Sequence, residues 1–166
     1  MTVEKAKLIV LTDDRSNSHM KGEKLVIGRR DRADFPEIGL LDVDVKTDTG
    51  AYTSSIHVTK CEVAQKNGKE VLEVIFLDKD QPSFTGSPVY FEDFRQKKVK
   101  SSTGHEQIRF FVKLKIRIME KNIRTDFSLT RRNGMKYPIL LGRKLLNRRF
   151  IVDPSLVNVS LKKINK

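Results

Sequence analysis

Two stretches decide how this chain is read: Val45-Lys46-Thr47-Asp48-Thr49-Gly50-Ala51-Tyr52-Thr53-Ser54 and, much later, Tyr137-Pro138-Ile139-Leu140-Leu141-Gly142-Arg143-Lys144-Leu145-Leu146. In the first, Leu41, Val43 and Val45 alternate with polar residues, the pattern of a half-buried strand that runs into Asp48. A loop at a strand end can aim a carboxylate into a cleft. Gly50 allows a tight turn and close approach to a ligand, and the Thr49 hydroxyl can hold the loop rigid. Asp-x-Gly is also ordinary turn chemistry, so the tripeptide alone does not separate a strand-ending turn from a catalytic carboxylate. The second stretch reads as an apolar strand, a glycine and the start of a short helix over Arg143 to Arg149.

Period-two patterning runs through most of the chain. Ile56 to Val63 and Val71 to Phe76 flank Lys66-Asn67-Gly68-Lys69, and Asn-Gly between two such runs signals a hairpin. Val112, Leu114, Ile116 and Ile118 alternate with Lys and Arg. The chain turns at Glu120-Lys121-Asn122, and Ile123, Thr125, Phe127 and Leu129 alternate back. Phe150-Ile151-Val152 reads as a last strand meeting Asp153-Pro154-Ser155, and Leu156 to Leu161 alternates again as strand. Helix is scarce. Short strands at turn-punctuated spacing predict an all-β barrel or sandwich. The stretch 78–106 holds Pro82, Gly86, Pro88 and Gly104 among polar residues, and is read as a mobile loop or long hairpin.

With 166 residues, the chain is read as one domain with a real core. No apolar run approaches the roughly 20 residues needed to span a bilayer. The run Leu8 to Leu11 is too short for a signal-peptide core, so a cytoplasmic protein with no membrane partner is expected. Cys61 is the single cysteine, which excludes an intrachain disulfide. The net charge of +12 is read first as a solvating basic surface and second as a preference for anionic ligands, whether nucleic acid, anionic membrane or acidic peptide. Its basic residues are scattered pairs, Arg29-Arg30, Lys97-Lys98, Arg131-Arg132 and Arg148-Arg149, with few aromatics and no Trp. That argues against a base-stacking nucleic-acid platform.

The Asp-Thr-Gly-Ala loop followed, after a hairpin and a strand pair, by Ile139-Leu140-Leu141-Gly142-Arg143 resembles the retroviral-type aspartic proteases. A wider set of segments falls in one family order: Val26 to Arg30, Phe35 to Gly39, Thr47 to His57, Val99 to Gly104, Met135 to Leu146 and Arg149 to Pro154. They resemble the bacterial and archaeal family known as ATP-dependent zinc proteases, retropepsin-like in fold and often encoded near ATP-grasp glutamate ligases. The resemblance implies an all-β, retropepsin-like closed barrel with one short helix after Gly142. Its organisation would be an N-terminal extension over 1–24, a single domain over 25–161 with a flap or insertion at about 78–107, and a tail over 162–166.

The same resemblance implies a hydrolase, an aspartic endopeptidase whose catalytic loop is Asp48, Thr49 and Gly50. Leu141, Gly142 and Arg143 would support that loop. Ala51 and Tyr52 would contact substrate, together with Ser101, Ser102, Thr103 and Gly104 at the tip of a flap. Aspartic proteases activate water between two carboxylates that share a proton, because like charges so close do not both ionise. One Asp-Thr-Gly per chain then demands a homodimer in which two Asp48 side chains meet. Retroviral enzymes carry an acid where Tyr52 stands and the zinc-labelled family an arginine, which leaves the partner of Arg143 open. The basic excess and the ligase association both suggest an acidic, glutamate-rich peptide as substrate and a functional link to an ATP-grasp ligase.

Zinc and ATP do not follow from the residues. A zinc site needs three or four ligands at productive spacing. The chain has His19, His57 and His105, one Cys, and no His-Glu-x-x-His, so no metal and no other cofactor is expected. It has no Gly-x-x-x-x-Gly-Lys-Ser/Thr phosphate loop either. Two other functions stay open at this point: a catalytically silent member of the fold that binds peptides or a partner, and a basic nucleic-acid-binding β-domain.

Overall fold

The computed structural model describes residues 22–100 and 103–164. Ten strands follow in chain order: β1 Leu25–Phe35, β2 Leu40–Thr47, β3 Ser54–Lys66, β4 Lys69–Phe76, β5 Val89–Phe91, β6 Arg95–Lys100, β7 Glu106–Ile118, β8 Lys121–Thr130, β9 Ile139–Leu141 and β10 Phe150–Val157. The helices are short, α1 at Arg143–Leu146 and α2 at Val159–Ile164, with a single 3₁₀ turn at Pro36–Ile38. None of the described helices is long and apolar enough to cross a membrane.

Six strands close a barrel in the order β1, β2, β9, β3, β8, β7 and back to β1. Alternation explains the closure. Val43 and Val45 on β2, Val112, Leu114, Ile116 and Ile118 on β7, and Ile123, Phe127 and Leu129 on β8 all turn inward and are buried. Phe35 and Phe127 meet edge to face at the centre, with ring centroids 5.4 Å apart. At the seam, Asp34 on β1 stands opposite Arg117 on β7, and the two form an ion pair. The outer strands extend this barrel: β10 runs parallel to β1, β6 antiparallel to β7, and β4 antiparallel to the far half of β3. Asn67 and Gly68, both at positive φ, make the β3–β4 turn that Asn-Gly forecasts.

The feature that positions the site is β9. It pairs in parallel with β2 (Val45 with Ile139, Thr47 with Leu141) and antiparallel with β3 (Ser55 with Leu140, Ile56 with Ile139). The consecutive strands β2 and β3 are therefore not neighbours. β9 lies between them, and the loop 48–53 must pass over its end, where Gly142 follows.

Of the two alternatives for the polar stretch 78–106, the hairpin is the one found: it contains β5 and β6, and β6 forms a hairpin with β7. Two details differ from the sequence expectation. The β7–β8 turn is tighter than Glu120 to Asn122, because Ile118 already pairs with Lys121 and Met119 takes a left-handed φ of 53°. The Leu156 to Leu161 alternation does not continue as strand: β10 ends at Val157, Asn158 takes a left-handed φ of 51°, and α2 begins at Val159. The cause is a long-range cap. Asp31, wholly buried, accepts the main-chain N–H groups of Val159 and Ser160 and the Ser160 hydroxyl.

Candidate active site

Asp48 is the first residue beyond β2. Its amide donates to the Leu141 carbonyl at 2.9 Å, which continues the β2–β9 pairing into the loop. Its side chain then folds back over its own turn: Oδ1 accepts the N–H of Gly50 at 3.1 Å and of Ala51 at 3.2 Å. This local bonding is the turn chemistry that Asp-x-Gly favours, and it holds one carboxylate oxygen in place. A Cβ on Gly50 would lie 3.3 Å from that oxygen, so glycine leaves the carboxylate its room.

The Leu-Gly-Arg segment holds the loop from the other side. The Gly142 N–H donates to Ser54 Oγ at 3.0 Å, and the Arg143 and Lys144 amides donate to the Ala51 and Tyr52 carbonyls, both at 2.9 Å. The two backbones approach so closely that a Cβ on Gly142 would stand 2.7 Å from the Tyr52 oxygen and the Thr53 carbon. Arg143 then reaches over the loop, with Nη1 donating to the Thr49 and Gly50 carbonyls and its guanidinium 5.9 Å from the centre of the Tyr52 ring. Those carbonyls and that ring occupy Arg143 where the sequence offers no acid. Thr49, Gly50 and Tyr52 are exposed or partly so, and Ala51 is half-buried.

Asp48 lines two clefts. The larger, about 530 Å³, is lined by Asp48, Ser55, Cys61, Arg109, Thr130, Arg131 and Arg132 among others. The smaller is lined by Asp48 together with Lys46, Met135, Lys136 and Tyr137 among others. Among the described residues, Asp48 is the one acid on either lining. Within the larger cleft, Arg109 Nε and Arg132 Nη1 are buried and make no hydrogen bond among the described residues. Burial pushes the Cys61 thiol up to about 11, so it is protonated at neutral pH.

Of the residues singled out in sequence, Asp48, Thr49, Gly50, Ala51 and Tyr52 meet Leu141, Gly142 and Arg143 in one place. Thr103 and Gly104 sit at the exposed end of the β6–β7 hairpin, with Gly104 at a positive φ of 83°, and the cleft is bordered instead by the hairpin's lower part at Gln107 to Phe110. Ser101 and Ser102 lie outside the described residues. Arg109 is not singled out in the sequence, and Arg131, Arg132 and His57 enter it only as a basic pair and as one of too few zinc ligands. The available signal was the Arg131-Arg132 pair, placed directly where the β8 alternation stops. Among the described residues, His57 and Cys61 belong to no group of three His, Cys or carboxylate side chains close enough to share a metal ion.

The model of the RimB-like family, described as the retropepsin-like aspartic endopeptidase RimB, matches residues 26–163. The chain belongs to the RimB-like family. Its closed barrel, with α1 following Gly142, is the architecture the resemblance implied. A probable alpha-L-glutamate ligase of Desulfotalea psychrophila (strain LSv54 / DSM 12343) is 31% identical over 135 residues, which is 80% of this chain and 29% of that protein. A protein of the same name from Shewanella pealeana (strain ATCC 700345 / ANG-SQ1) is 28% identical over 138 residues, 82% of this chain and 30% of the relative. The chain thus spans about three tenths of the length of these curated relatives. A crystal structure of a Legionella pneumophila protein of unknown function superposes with a TM-score of 0.60 at 25% identity, covering 83% of this chain and 99% of the other.

Proposed function

We propose that this RimB-like chain is an aspartic endopeptidase that works as a homodimer on acidic, glutamate-rich peptides. The observation that carries the reading is the carboxylate of Asp48, pinned by two amides at the lip of a cleft whose other charged residues are arginines. Asp48 and the partner's Asp48 share one proton across a twofold axis. The ionised carboxylate takes a proton from a water as its oxygen attacks the scissile carbonyl, while the protonated one hydrogen-bonds the carbonyl oxygen. Collapse of the tetrahedral intermediate passes a proton to the leaving amine, so one water is consumed per bond cleaved. Titration belongs to the pair and not to either Asp48 alone.

Arg109, Arg131 and Arg132 supply the specificity. A guanidinium presents its donors in a planar fork that matches a carboxylate. Buried donors without partners, such as Arg109 Nε and Arg132 Nη1, favour a ligand that satisfies them. The exposed β6–β7 hairpin, with Thr103 and Gly104 at its end, closes over an extended peptide as a flap. The relatives named as glutamate ligases support a partnership with an ATP-grasp ligase, in which one activity adds glutamates and the other removes them. Because those relatives are some three times longer than the matched segment, a second reading is a peptide-holding module that serves a ligase without cleaving.

Cleavage of glutamate-rich and lysine-rich peptides by the purified chain, with oligomeric state followed by sedimentation, tests the proposal. Glutamate-rich peptides are expected to be cut by a dimer, and Asp48→Asn to lower the rate by at least about a hundredfold without dissociating it. Undiminished cleavage by Asp48→Asn overturns the catalytic role, and peptide binding without cleavage by the wild type favours the second reading.

A further inference from the structure

In the barrel β3 lies between β8 and β9, and the segment 131–138 that joins those two strands arches over β3 at His57. His57 is in parallel register with Thr130, the last residue of β8. It is 2% exposed, and it touches both ends of the arch. At the start, Nδ1 accepts the Arg132 N–H at 2.7 Å. At the end, the His57 N–H donates to the Pro138 carbonyl at 2.8 Å. The arch carries Arg131 and Arg132 into the larger cleft beside Asp48, and Met135, Lys136 and Tyr137 into the smaller one. His57 thus bonds, once through its ring and once through its main chain, both ends of the segment that lines the two clefts.

The far side of the ring explains how His57 holds this job. An Nδ1 that accepts an amide proton carries none itself, so the ring proton sits on Nε2. Nε2 faces the Asp78 carboxylate at 2.9 Å, and the other oxygen of Asp78 accepts the Thr59 hydroxyl at 3.0 Å. The His57 carbonyl in turn accepts the Leu77 amide at 3.0 Å, so β3 and the end of β4 are tied at the same point. The approach of Nε2 to Asp78 is close but not aligned as a hydrogen bond, so the Arg132 amide at Nδ1 sets the tautomer while the Asp78 carboxylate attracts the proton on Nε2.

We propose that His57 is a positioning residue, which uses Nδ1 to hold the Arg131–Pro138 arch so that its arginines face the peptide bound at Asp48. The proposal rests on the reading of the Asp48 cleft as a peptide site, and its test separates the two. Amide hydrogen exchange is measured on the full chain for the wild type, His57→Phe, His57→Asn and His57→Gln, alongside KM and kcat on a glutamate-rich peptide. In the wild type, ¹⁵N spectra are expected to show the neutral ring with its proton on Nε2. In His57→Phe, which keeps a planar ring, somewhat larger, and loses the acceptor, the Arg132 amide is expected to exchange at least tenfold faster while the β7 and β8 amides keep their protection. KM is expected to rise at least fivefold with kcat within twofold of the wild type.

Asn places its carbonyl oxygen near the position of Nδ1 and Gln places its head near Nε2, so His57→Asn is expected to retain Arg132 protection and His57→Gln to lose it. This pair decides the matter should His57→Phe fail to fold. Equal Arg132 exchange in the Asn and Gln variants, or a proton found on Nδ1, overturns the proposal, as does a loss confined to kcat. A wild type that cleaves no peptide overturns the peptidase reading, and the exchange result then judges the grip of His57 on the arch by itself.

Discussion

The guanidinium of Arg143 closes on the carbonyl of Gly50 at 2.9 Å, in the same reach that takes it to the carbonyl of Thr49. An arginine two residues beyond β9 is thereby bonded to the main chain of the Asp48 turn, with its guanidinium 5.9 Å from the centre of the Tyr52 ring. Both bonds come from the single nitrogen Nη1, whose planar N–H pair sits at the end of a stem longer than that of lysine, a placement that a lysine ammonium does not reproduce. Arg143→Lys is therefore expected to behave nearly as Arg143→Ala: on peptide cleavage, kcat falls about tenfold, the effect of roughly one lost positioning contact, while the dimer persists. Full activity in Arg143→Lys would show that charge alone suffices and that the two carbonyl contacts are incidental.

Gly142 makes a sharper demand, because its space is already filled by backbone. A methyl group there meets the Tyr52 oxygen and Thr53 carbon at 2.7 Å, and neither atom can rotate away as a flexible side chain would. Gly142→Ala must push the Asp48 loop off β9, at a cost of about 1–3 kcal/mol for overpacking. For a chain of this size that corresponds to a fall of roughly 2–10 °C in the melting temperature. Activity should fall with it, since Ser54 Oγ would lose the Gly142 amide. A melting temperature within a degree of wild type sinks the claim that close approach requires glycine here.

These two positions also show what a sequence can reveal. The Asp48 loop and the Gly142 segment were legible because their geometry needs unusual residue types in a fixed order: an acid that bonds its own turn, and glycines where a Cβ has no room. The hairpins were legible because period-two runs and Asn-Gly are local signals. The barrel seam was not, since nothing near Asp34 announces Arg117 as its partner. His57 reads in sequence only as one of too few zinc ligands, because its acceptor role concerns an amide 75 residues away. The Leu156 to Leu161 pattern misled for the same reason: local alternation favoured strand, and a buried carboxylate from β1 imposed a helix start.

Asp126 gives a pH dependence that can be signed. Burial on β8 raises its pKa, but the ammonium of Lys144 and the guanidinium of Arg95 outweigh burial and hold the carboxyl below its usual range. A depressed carboxylate contributes stability above its unfolded pKa of about 3.9, and that contribution is lost as pH falls through the folded value. The two cations stay partly hydrated, at 48% and 41% exposure, so Asp126→Asn is expected to cost only about 1–2 kcal/mol at neutral pH. The melting-temperature gap from wild type should be full between about pH 5 and 7 and shrink below about pH 4. A gap that stays constant down to acid pH would show that the pair contributes packing and no charge. Because Lys144 lies on α1 beside Arg143, the loss of this tie should also loosen the Asp48 loop in acid.

Asp31 anchors the other end of the chain to the barrel. It is wholly buried, and its carboxylate accepts the amides of Arg32, Val159 and Ser160 along with the Ser160 hydroxyl. Nearby, Asn158 donates its amide to the Arg30 carbonyl, so β1 holds the whole turn from β10 into α2. Removing the carboxylate strands several buried donors together, and loss of a cap alone costs about 0.5–2 kcal/mol. Bonds to a charged acceptor reach about 1.5–3 kcal/mol, so Asp31→Ala is expected near the upper value. The variant should expose α2 to proteolysis and speed exchange of the Val159 and Ser160 amides, while the β7 and β8 amides remain protected. Asp31→Asn keeps an acceptor but places two donors among donors, so it is expected to restore little of that loss. If α2 remains protected in both variants, its docking depends on apolar contact alone and the cap carries no weight.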